Sequence, residues 1–376
     1  MKVDSPAVAT DSMGTRRVTV RIDDFELWYD VPRELPLASS GEFLLCAALL
    51  PAMLQGGELA LPDQWPVDRV FLANMERVQE TWLGWQAGLR LKLKPVRVRC
   101  AETSVGAASI GSGAISFFSG GVDGSFTAQE NRSRMSTLLL LRGIDMRLES
   151  EALWQEARDA AQVMADHWDL RLSCITSNIR FLGYHNGLKW ARHFQAAGLM
   201  SVAHLVPHET VLIASSHSYW DSAGYGSHPD LDPLFSSAGV RIEHHGMIPR
   251  TEKLAALVED PVIRNRLRVC WHDHGFNCCK CEKCVRTMVA LRLFGVEAPS
   301  FPGPLDLGLL HLLGSNHGGH IYFIRELLEL EAAHPDPEIR RALRKVARGE
   351  QARALLRKLD RSTGGALSSF RRRLAG

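Results

Sequence analysis

The chain has 376 residues, of which 45% are hydrophobic and 23% are charged, and its formal net charge is +2. This composition is typical of a globular protein with two or three domains, and the near balance of charge does not by itself indicate a nucleic acid or membrane partner. No apolar run has the length of a membrane span, and residues 1–5 lack the apolar core of a signal peptide. We therefore expect a cytoplasmic protein that does not bind membranes.

The first hundred residues predict a small N-terminal α+β domain over residues 13–105, preceded by a polar leader without regular structure at 1–12. Apolar residues alternate over 16–32 around an Asp-Asp turn, which is typical of a hairpin. An apolar helix is predicted over 42–54 and an amphipathic helix over 68–86. This part of the chain carries no catalytic signature.

After residue 105 the pattern changes to alternating strands and helices, which predicts an α/β domain with a parallel sheet flanked by helices over residues 106–297. Strands are predicted from Ala114, at 137–141, at 170–176 and at 211–216. Four polar residues follow these strands: Ser119, Asp145, Asn178 and Ser215. Because ligands gather at the carboxyl ends of parallel strands, we expect one shared crevice, with Asn178 among the residues that bind a cofactor.

A glycine turn follows the first of these strands and consists of Ser119, Gly120, Gly121, Val122, Asp123, Gly124 and Ser125. Since glycines remove side-chain bulk, several backbone N–H groups can point into one concavity at a helix N-terminus, which is a site for phosphate. The carboxylate of Asp123 can hold Mg²⁺ against phosphates, and Ser125 adds a hydroxyl donor. The lysine of a Walker loop is absent, and a glycine-rich turn without any ligand is the alternative.

Residues 217–233 form a long polar segment with glycines and prolines, which favours a functional loop over a bare connection. His228, Asp230 and Asp232 are the candidate substrate ligands in this loop. The alternative for Asp232, which precedes a proline, is an ordinary helix cap.

Arg250 and Lys253 lie in the predicted first turn of the next helix, where the helix dipole favours acidic residues instead. Binding of an anion such as pyrophosphate would explain these two cations, with Arg250 contacting a substrate. Two solvated charges are the alternative.

Cys270, Cys278, Cys281 and Cys284 have the spacing C-x7-C-x2-C-x2-C, and Cys279 lies among them. Four thiolates satisfy the tetrahedral preference of Zn²⁺, and the short spacings present neighbouring sulfur atoms to one ion. Because four cysteines would leave no coordination position open, the predicted zinc site is structural. An iron–sulfur cluster is the second candidate, and Cys279 is expected to remain outside the site.

The segment Ser119–Asp123 resembles the PP-loop of the ATP pyrophosphatase superfamily, whose pattern is Ser-Gly-Gly-x-Asp-Ser, and Gly124 replaces the usual final serine. The order of this loop, a Gly-Tyr-x-x-x-Pro-Asp-like stretch at 224–230, Lys253 and the cysteine cluster is similar to that of 7-cyano-7-deazaguanine synthases. The resemblance extends over about residues 113–295 and implies an adenine nucleotide alpha hydrolase-like fold.

The resemblance also implies chemistry, because these enzymes split ATP between the α and β phosphates and leave an adenylated substrate. Carried onto this chain, the loop from Ser119 to Ser125 binds ATP and Mg²⁺, Asp123 and Lys253 are catalytic, and the four cysteines hold zinc. We expect an AMP-forming ligase that adenylates a carboxylate or carbonyl oxygen of a small, nucleobase-like molecule for attack by a nitrogen nucleophile. The alternatives are a sulfur-transferring enzyme acting on a nucleobase or tRNA, with Cys174 or Cys279 as carrier, and a non-catalytic nucleotide-binding scaffold.

Residues 298–376 predict a helical, basic C-terminal region that ends in Arg371, Arg372 and Arg373. Such a tail can contact RNA or an acidic partner, but no aromatic residues are interleaved for base stacking. Apolar residues at helical spacing favour a helix with a solvated basic face instead. A homodimer is compatible with the sequence, which does not fix the oligomeric state.

Overall fold

The computed structural model describes residues 1–103, 110–218, 224–314 and 321–362. The chain divides into two compact units, Met1–Phe276 and Asn277–Gly376. Across the described residues, every helix is too short or too polar to cross a bilayer.

The strands of the first unit are β1 (Ala7–Thr10), β2 (Arg16–Ile22), β3 (Phe25–Val31), β4 (Gly57–Ala60), β5 (Val67–Asp68), β6 (Val96–Arg99), β7 (Glu102–Thr103), β8 (Gly111–Phe117), β9 (Met135–Arg142), β10 (Arg171–Ser177), β11 (His208–Ala214) and β12 (Arg241–His245). Its helices are α1 (Glu42–Gln55), α2 (Arg69–Leu89), α3 (Val122–Asn131), α4 (Glu151–His167), α5 (Ile179–His185), α6 (Gln195–Leu205), α7 (Arg250–Val258) and α8 (Pro261–Arg264). The second unit contains α9 (Glu282–Leu293), α10 (Ile321–Ala333) and α11 (Pro337–Ser362).

The centre of the first unit is an eight-stranded sheet in the order β1-β2-β3-β10-β9-β8-β11-β12. The five strands from β10 to β12 in this order pair in parallel. Residues Thr137–Leu141 of β9 are all buried, as expected for a strand covered on both faces. The prediction of an α/β fold with a mostly parallel central sheet flanked by helices is confirmed.

The N-terminal hairpin continues the central sheet instead of forming a sheet of its own. β3 pairs antiparallel with β10 through Thr176↔Asp30 and Ser177↔Tyr29. The structure thus shows no division near residue 105, where the sequence predicted the end of a separate domain, because the first compact unit extends to Phe276. The alternation of apolar and polar residues along a strand shows which face of the strand is buried. It does not show which strand lies beside it in the sheet.

The expectation of an unstructured leader over residues 1–12 is wrong. β1 pairs antiparallel with β2, from Ala7↔Thr19 to Thr10↔Arg16, and forms an edge of the central sheet. All four side chains of β1 are exposed. Because none of its residues is buried, this strand has no apolar pattern by which the sequence could reveal it.

Helix α1 anchors the hairpin to the rest of the first unit. Its residues from Phe43 to Leu50 are buried on every side, as expected for a helix without a polar face. The Ser201 hydroxyl of α6 donates to the Phe43 carbonyl oxygen at 2.7 Å and lies 2.6 Å from the Tyr29 hydroxyl of β3. Complete burial raises the pKa of Tyr29 and keeps this hydroxyl neutral.

In the second unit, α10 and α11 provide the helical C-terminal region that the sequence predicts. On α11, Ile339 and Leu343 are fully buried. The guanidinium of Arg340 donates to Glu331 of α10 at 2.7 Å. Residues 371–373, the basic end proposed for RNA contact, lie outside the described residues.

Candidate active site

The glycine loop connects β8 to α3, as the sequence predicts. Gly120 has a φ of 75°, a left-handed conformation that favours glycine, and Gly121 is the N-cap of α3. Among the described residues no side chain caps this helix. The positive end of the α3 dipole therefore faces the loop, and its N-cap residue supplies no side-chain oxygen.

The structure brings together Asp123, Arg250 and Lys253 at this helix terminus. Arg250 Nη1 donates to Asp123 Oδ2, and Lys253 Nζ donates to Asp123 Oδ1 at 3.0 Å. Lys253, only 1% exposed, also donates to the carbonyl oxygen of Ser215 after β11 at 2.6 Å. One carboxylate thus meets two cations, so the three groups sum to a charge of +1 at the carboxyl ends of β8 and β11.

Arg268 is a residue of this site that the sequence analysis missed. Its backbone N–H donates to the Gly120 carbonyl oxygen at 2.8 Å, and its own carbonyl oxygen would lie 3.5 Å from a Cβ atom on Gly121. The residue is 3% exposed, and its Nε and Nη2 atoms have no hydrogen-bond partner among the described residues. The sequence offers no clear signal for its burial, because Arg268 follows Arg264 and Arg266 and alternates with Leu267 and Val269 as an exposed residue would.

Ser125 and Gly124 face the interior of the first unit. Ser125 is fully buried, and its hydroxyl has no hydrogen-bond partner in the part of the chain that the structure describes. A Cβ atom on Gly124 would lie 3.5 Å from Cδ2 of Phe118, which is ordinary van der Waals contact. The position where the resemblance expects serine therefore has room for a Cβ atom.

Gly124→Ser is expected to leave the fold intact and to raise the free energy of unfolding by about 0.5 kcal/mol, because serine has the higher helix propensity. Urea denaturation measures the change. The control is Gly143→Ser, since a Cβ atom there would lie 2.1 Å from the Ser177 carbonyl oxygen and φ is 92°. Equal destabilisation by both substitutions would contradict the packing around Gly124.

Asn178 lies at the carboxyl end of β10, as predicted, but its amide is occupied by the backbone of β3. Its Oδ1 accepts from the Trp28 N–H at 2.9 Å, and its Nδ2 donates to the Glu26 carbonyl oxygen at 2.8 Å. These two hydrogen bonds of the amide hold the hairpin against the sheet. Each of these bonds uses one of the two hydrogen-bonding sites on its amide atom, so the binding of a cofactor by Asn178 stays a prediction.

Asp232 is fully buried and belongs to an internal cluster of the loop after β11. Its Oδ1 accepts from the His228 N–H at 3.1 Å, and its Oδ2 accepts from Ser227 Oγ at 2.6 Å and from His244 Nδ1 at 2.7 Å. Leu231, not Asp232, is the N-cap of the short 3₁₀ helix that follows. The carboxylate therefore orients other groups, and the side chain of Asp230 is 79% exposed.

The hydrogen bonds of this cluster assign a role to Nδ1 of each of its two histidines. A carboxylate only accepts, so His244 Nδ1 carries a proton. His228 Nδ1 accepts from the Asp230 N–H at 3.1 Å, so Nε2 carries the proton. Both Nε2 atoms are buried and have no hydrogen-bond partner among the described residues. Residues 219–223 of the same loop lie outside the described residues.

The four cysteines predicted as metal ligands lie together. The sulfur atoms of Cys270, Cys278, Cys281 and Cys284 are all within 4.8 Å of one another, so these residues can bind a metal ion such as zinc. None of the eight cysteines, all of them within the described residues, forms a disulfide. The Cys281 N–H donates to Cys278 Sγ at 3.3 Å, which orients that sulfur atom within the group.

Neither candidate sulfur carrier has the environment of a reactive thiol. Burial raises the pKa of Cys174 on β10 to about 11, so it is protonated at neutral pH. Cys279 is buried, and its Sγ accepts from the Gly303 N–H at 3.4 Å. The sulfur-transferring alternative loses support from these two cysteines.

The fold and the site together define an α/β protein with a cationic glycine loop and a centre of four cysteines. Comparison with models of known protein families finds no match for the chain. Searches among curated proteins and among solved structures also find no match. The resemblance to PP-loop enzymes therefore stays a prediction from sequence motifs.

Proposed function

We propose that the protein is an ATP-dependent, AMP-forming ligase whose nucleotide binds at the glycine loop. The observation that carries the proposal is the meeting of Asp123, Arg250 and Lys253 at the uncapped N-terminus of α3. A helix N-terminus and two cations favour the phosphates of a nucleotide. A carboxylate at the same point supplies the ligand that Mg²⁺ prefers.

In the proposed reaction, an oxygen of the substrate attacks the α-phosphorus of ATP, the bond to the β-phosphate breaks, and pyrophosphate leaves. Arg250 and Lys253 exchange their contact with Asp123 for the phosphates, which releases the carboxylate for Mg²⁺. When bound, Mg²⁺ neutralises charge on the phosphates. A nitrogen nucleophile then attacks the adenylated carbon, AMP leaves with its oxygen, and the nucleophile gives up a proton. Fixed cations stabilise the developing charge in both steps.

The substrate is proposed to be a small molecule with a planar polar group such as a nucleobase or an amide. His228 supplies a buried donor at Nε2, and His244 has a second buried Nε2 atom without a hydrogen-bond partner among the described residues. Buried polar groups strongly favour ligands that satisfy them, and a planar polar group carries donors and acceptors of its own. Asp232 positions His244 for this role.

A nucleotide-binding protein without turnover is the second candidate. It is favoured by the ion pairs of Asp123, since both carboxylate oxygens accept from cations in this structure. If ATP binding leaves these pairs intact, Asp123 does not reach Mg²⁺.

The test is titration of Mg·ATP into the zinc-loaded full chain, followed by product analysis with a panel of heterocyclic carboxylic acids and ammonium. We expect micromolar binding and release of AMP and pyrophosphate. Release of ADP and phosphate would contradict the AMP-forming class, whereas binding without turnover would favour the second candidate. Failure to bind Mg·ATP would overturn both.

A further inference from the structure

Arg268 is a buried cation without a counter-ion among the described residues. It is 3% exposed, and no carboxylate of the described chain lies within ion-pair distance of it. The other arginine of comparable burial, Arg286, has Glu282 at 3.2 Å and the Phe323 ring at 3.9 Å from its guanidinium carbon. A buried guanidinium with unsatisfied N–H groups is costly, so its retention next to a glycine loop indicates an absent anionic partner.

The position of Arg268 supports this reading. Its N–H donates to the Gly120 carbonyl oxygen at 2.8 Å, and its Cβ atom would lie 3.6 Å from a Cβ atom on Gly120. The side chain therefore leaves the backbone directly beside the loop. On α3, the buried hydroxyl of Ser125 is a second polar group without a partner among the described residues. Two independent unsatisfied groups thus border the same loop.

We propose that Arg268 binds the terminal phosphates of the nucleotide and holds them as pyrophosphate leaves. The inference rests on the proposed function and adds a specific contact to it. A guanidinium presents several N–H groups in a planar fork, which matches two oxygens of a phosphate, and the low exposure of Arg268 strengthens such charge-assisted bonds. The ligand class is a di- or triphosphate anion. Adenosine and AMP are outside this class, because neither carries a di- or triphosphate group.

The experiment is calorimetric titration of inorganic pyrophosphate with Mg²⁺ into the zinc-loaded full chain, with wild type, Arg268→Met and Arg268→Lys compared. We expect binding of pyrophosphate to weaken by about 10-fold to 100-fold in Arg268→Met and by less in Arg268→Lys, which keeps the charge but loses the fork. Without ligand, Arg268→Met is expected to melt at no lower temperature than wild type, because it removes an unpaired buried charge. The control Arg266→Met changes a half-buried arginine whose Nη1 already donates to the Val262 carbonyl oxygen at 3.3 Å, and it should bind pyrophosphate as wild type does.

The possible outcomes separate this inference from the proposed function. Wild-type affinity for pyrophosphate in Arg268→Met overturns the inference, even if Mg·ATP binds and AMP is formed. Loss of zinc from Arg268→Met would also overturn it, since the guanidinium would then serve the nearby Cys270. If Arg268→Met does not fold, the pyrophosphate affinity of Arg268→Lys becomes the test. Unchanged affinity in that variant contradicts the inference. Pyrophosphate binding that depends on Arg268 in a protein that does not bind Mg·ATP would keep Arg268 as a diphosphate ligand and reject both the nucleotide and the ligase.

Discussion

Asp123→Asn is expected to lower the rate of AMP release by about 100-fold to 1000-fold, the range found when one preorganised electrostatic contact is removed from an active site. The asparagine side chain keeps the shape of aspartate but is a poor ligand for Mg²⁺. It also leaves Arg250 and Lys253 without the charge that positions them. Measuring radiolabelled AMP and pyrophosphate under saturating ATP detects the loss.

A second variant separates catalysis from stability. Lys253 is 1% exposed, and loss of its ionic partner is expected to cost about 3–5 kcal/mol of the free energy of unfolding, reduced by its remaining bond to the Ser215 carbonyl oxygen. The double variant Asp123→Asn, Lys253→Met should recover most of that stability and remain inactive. The control Asp159→Asn changes an exposed carboxylate on α4, and it should retain full activity. Comparable losses in Asp159→Asn and Asp123→Asn would show that the effect is not specific to the loop.

The strand–loop–helix segment could be predicted from sequence because its signals are local. Glycine at position 120 is required by a φ of 75°, and buried strands read as continuous apolar runs. The cations at positions 250 and 253 could also be singled out from the sequence, because the helix dipole favours acidic residues in a first helical turn. The proximity of these two cations to Asp123 then follows from parallel strands ending at one edge of the sheet.

The rest of the site depends on contacts between distant segments. Asn178 follows a strand as predicted, yet its partners belong to β3, about 150 positions earlier in the chain. Arg268 follows Arg264 and Arg266 in a basic stretch, and no periodicity reveals its location beside Gly120. Asp232 had two interpretations from sequence, substrate ligand and helix cap. The cap is wrong because Leu231 is the N-cap, whereas the role of substrate ligand stays a prediction, with His244 bound to the carboxylate in this structure.

Removal of one predicted zinc ligand is expected to have the largest effect in the second unit. Cys281 is the N-cap of α9, and Cys284 lies in the first turn of that helix, where the dipole favours thiolates. Cys284→Ser should reduce zinc from one equivalent per chain to a small fraction, because zinc sites with fewer thiolates bind far more weakly. Structural zinc contributes about 10 kcal/mol or more of apparent folding free energy at neutral pH, so α9 should lose its protection from hydrogen exchange.

The matched control for this prediction is Cys279→Ser, because Cys279 lies within the same motif but outside the group of four. Its Sγ accepts from the Gly303 N–H at 3.4 Å, a bond that a serine hydroxyl can also accept. Zinc measured by atomic absorption should therefore stay at one equivalent in Cys279→Ser, and the protection of α9 should be unchanged. Strong visible absorbance with iron and sulfide in the purified chain would instead identify an iron–sulfur cluster on the same four sulfur atoms. Equal metal loss in Cys279→Ser and Cys284→Ser would contradict the assignment of ligands, whereas a wild-type chain without metal would show that the sulfur atoms approach one another for another reason.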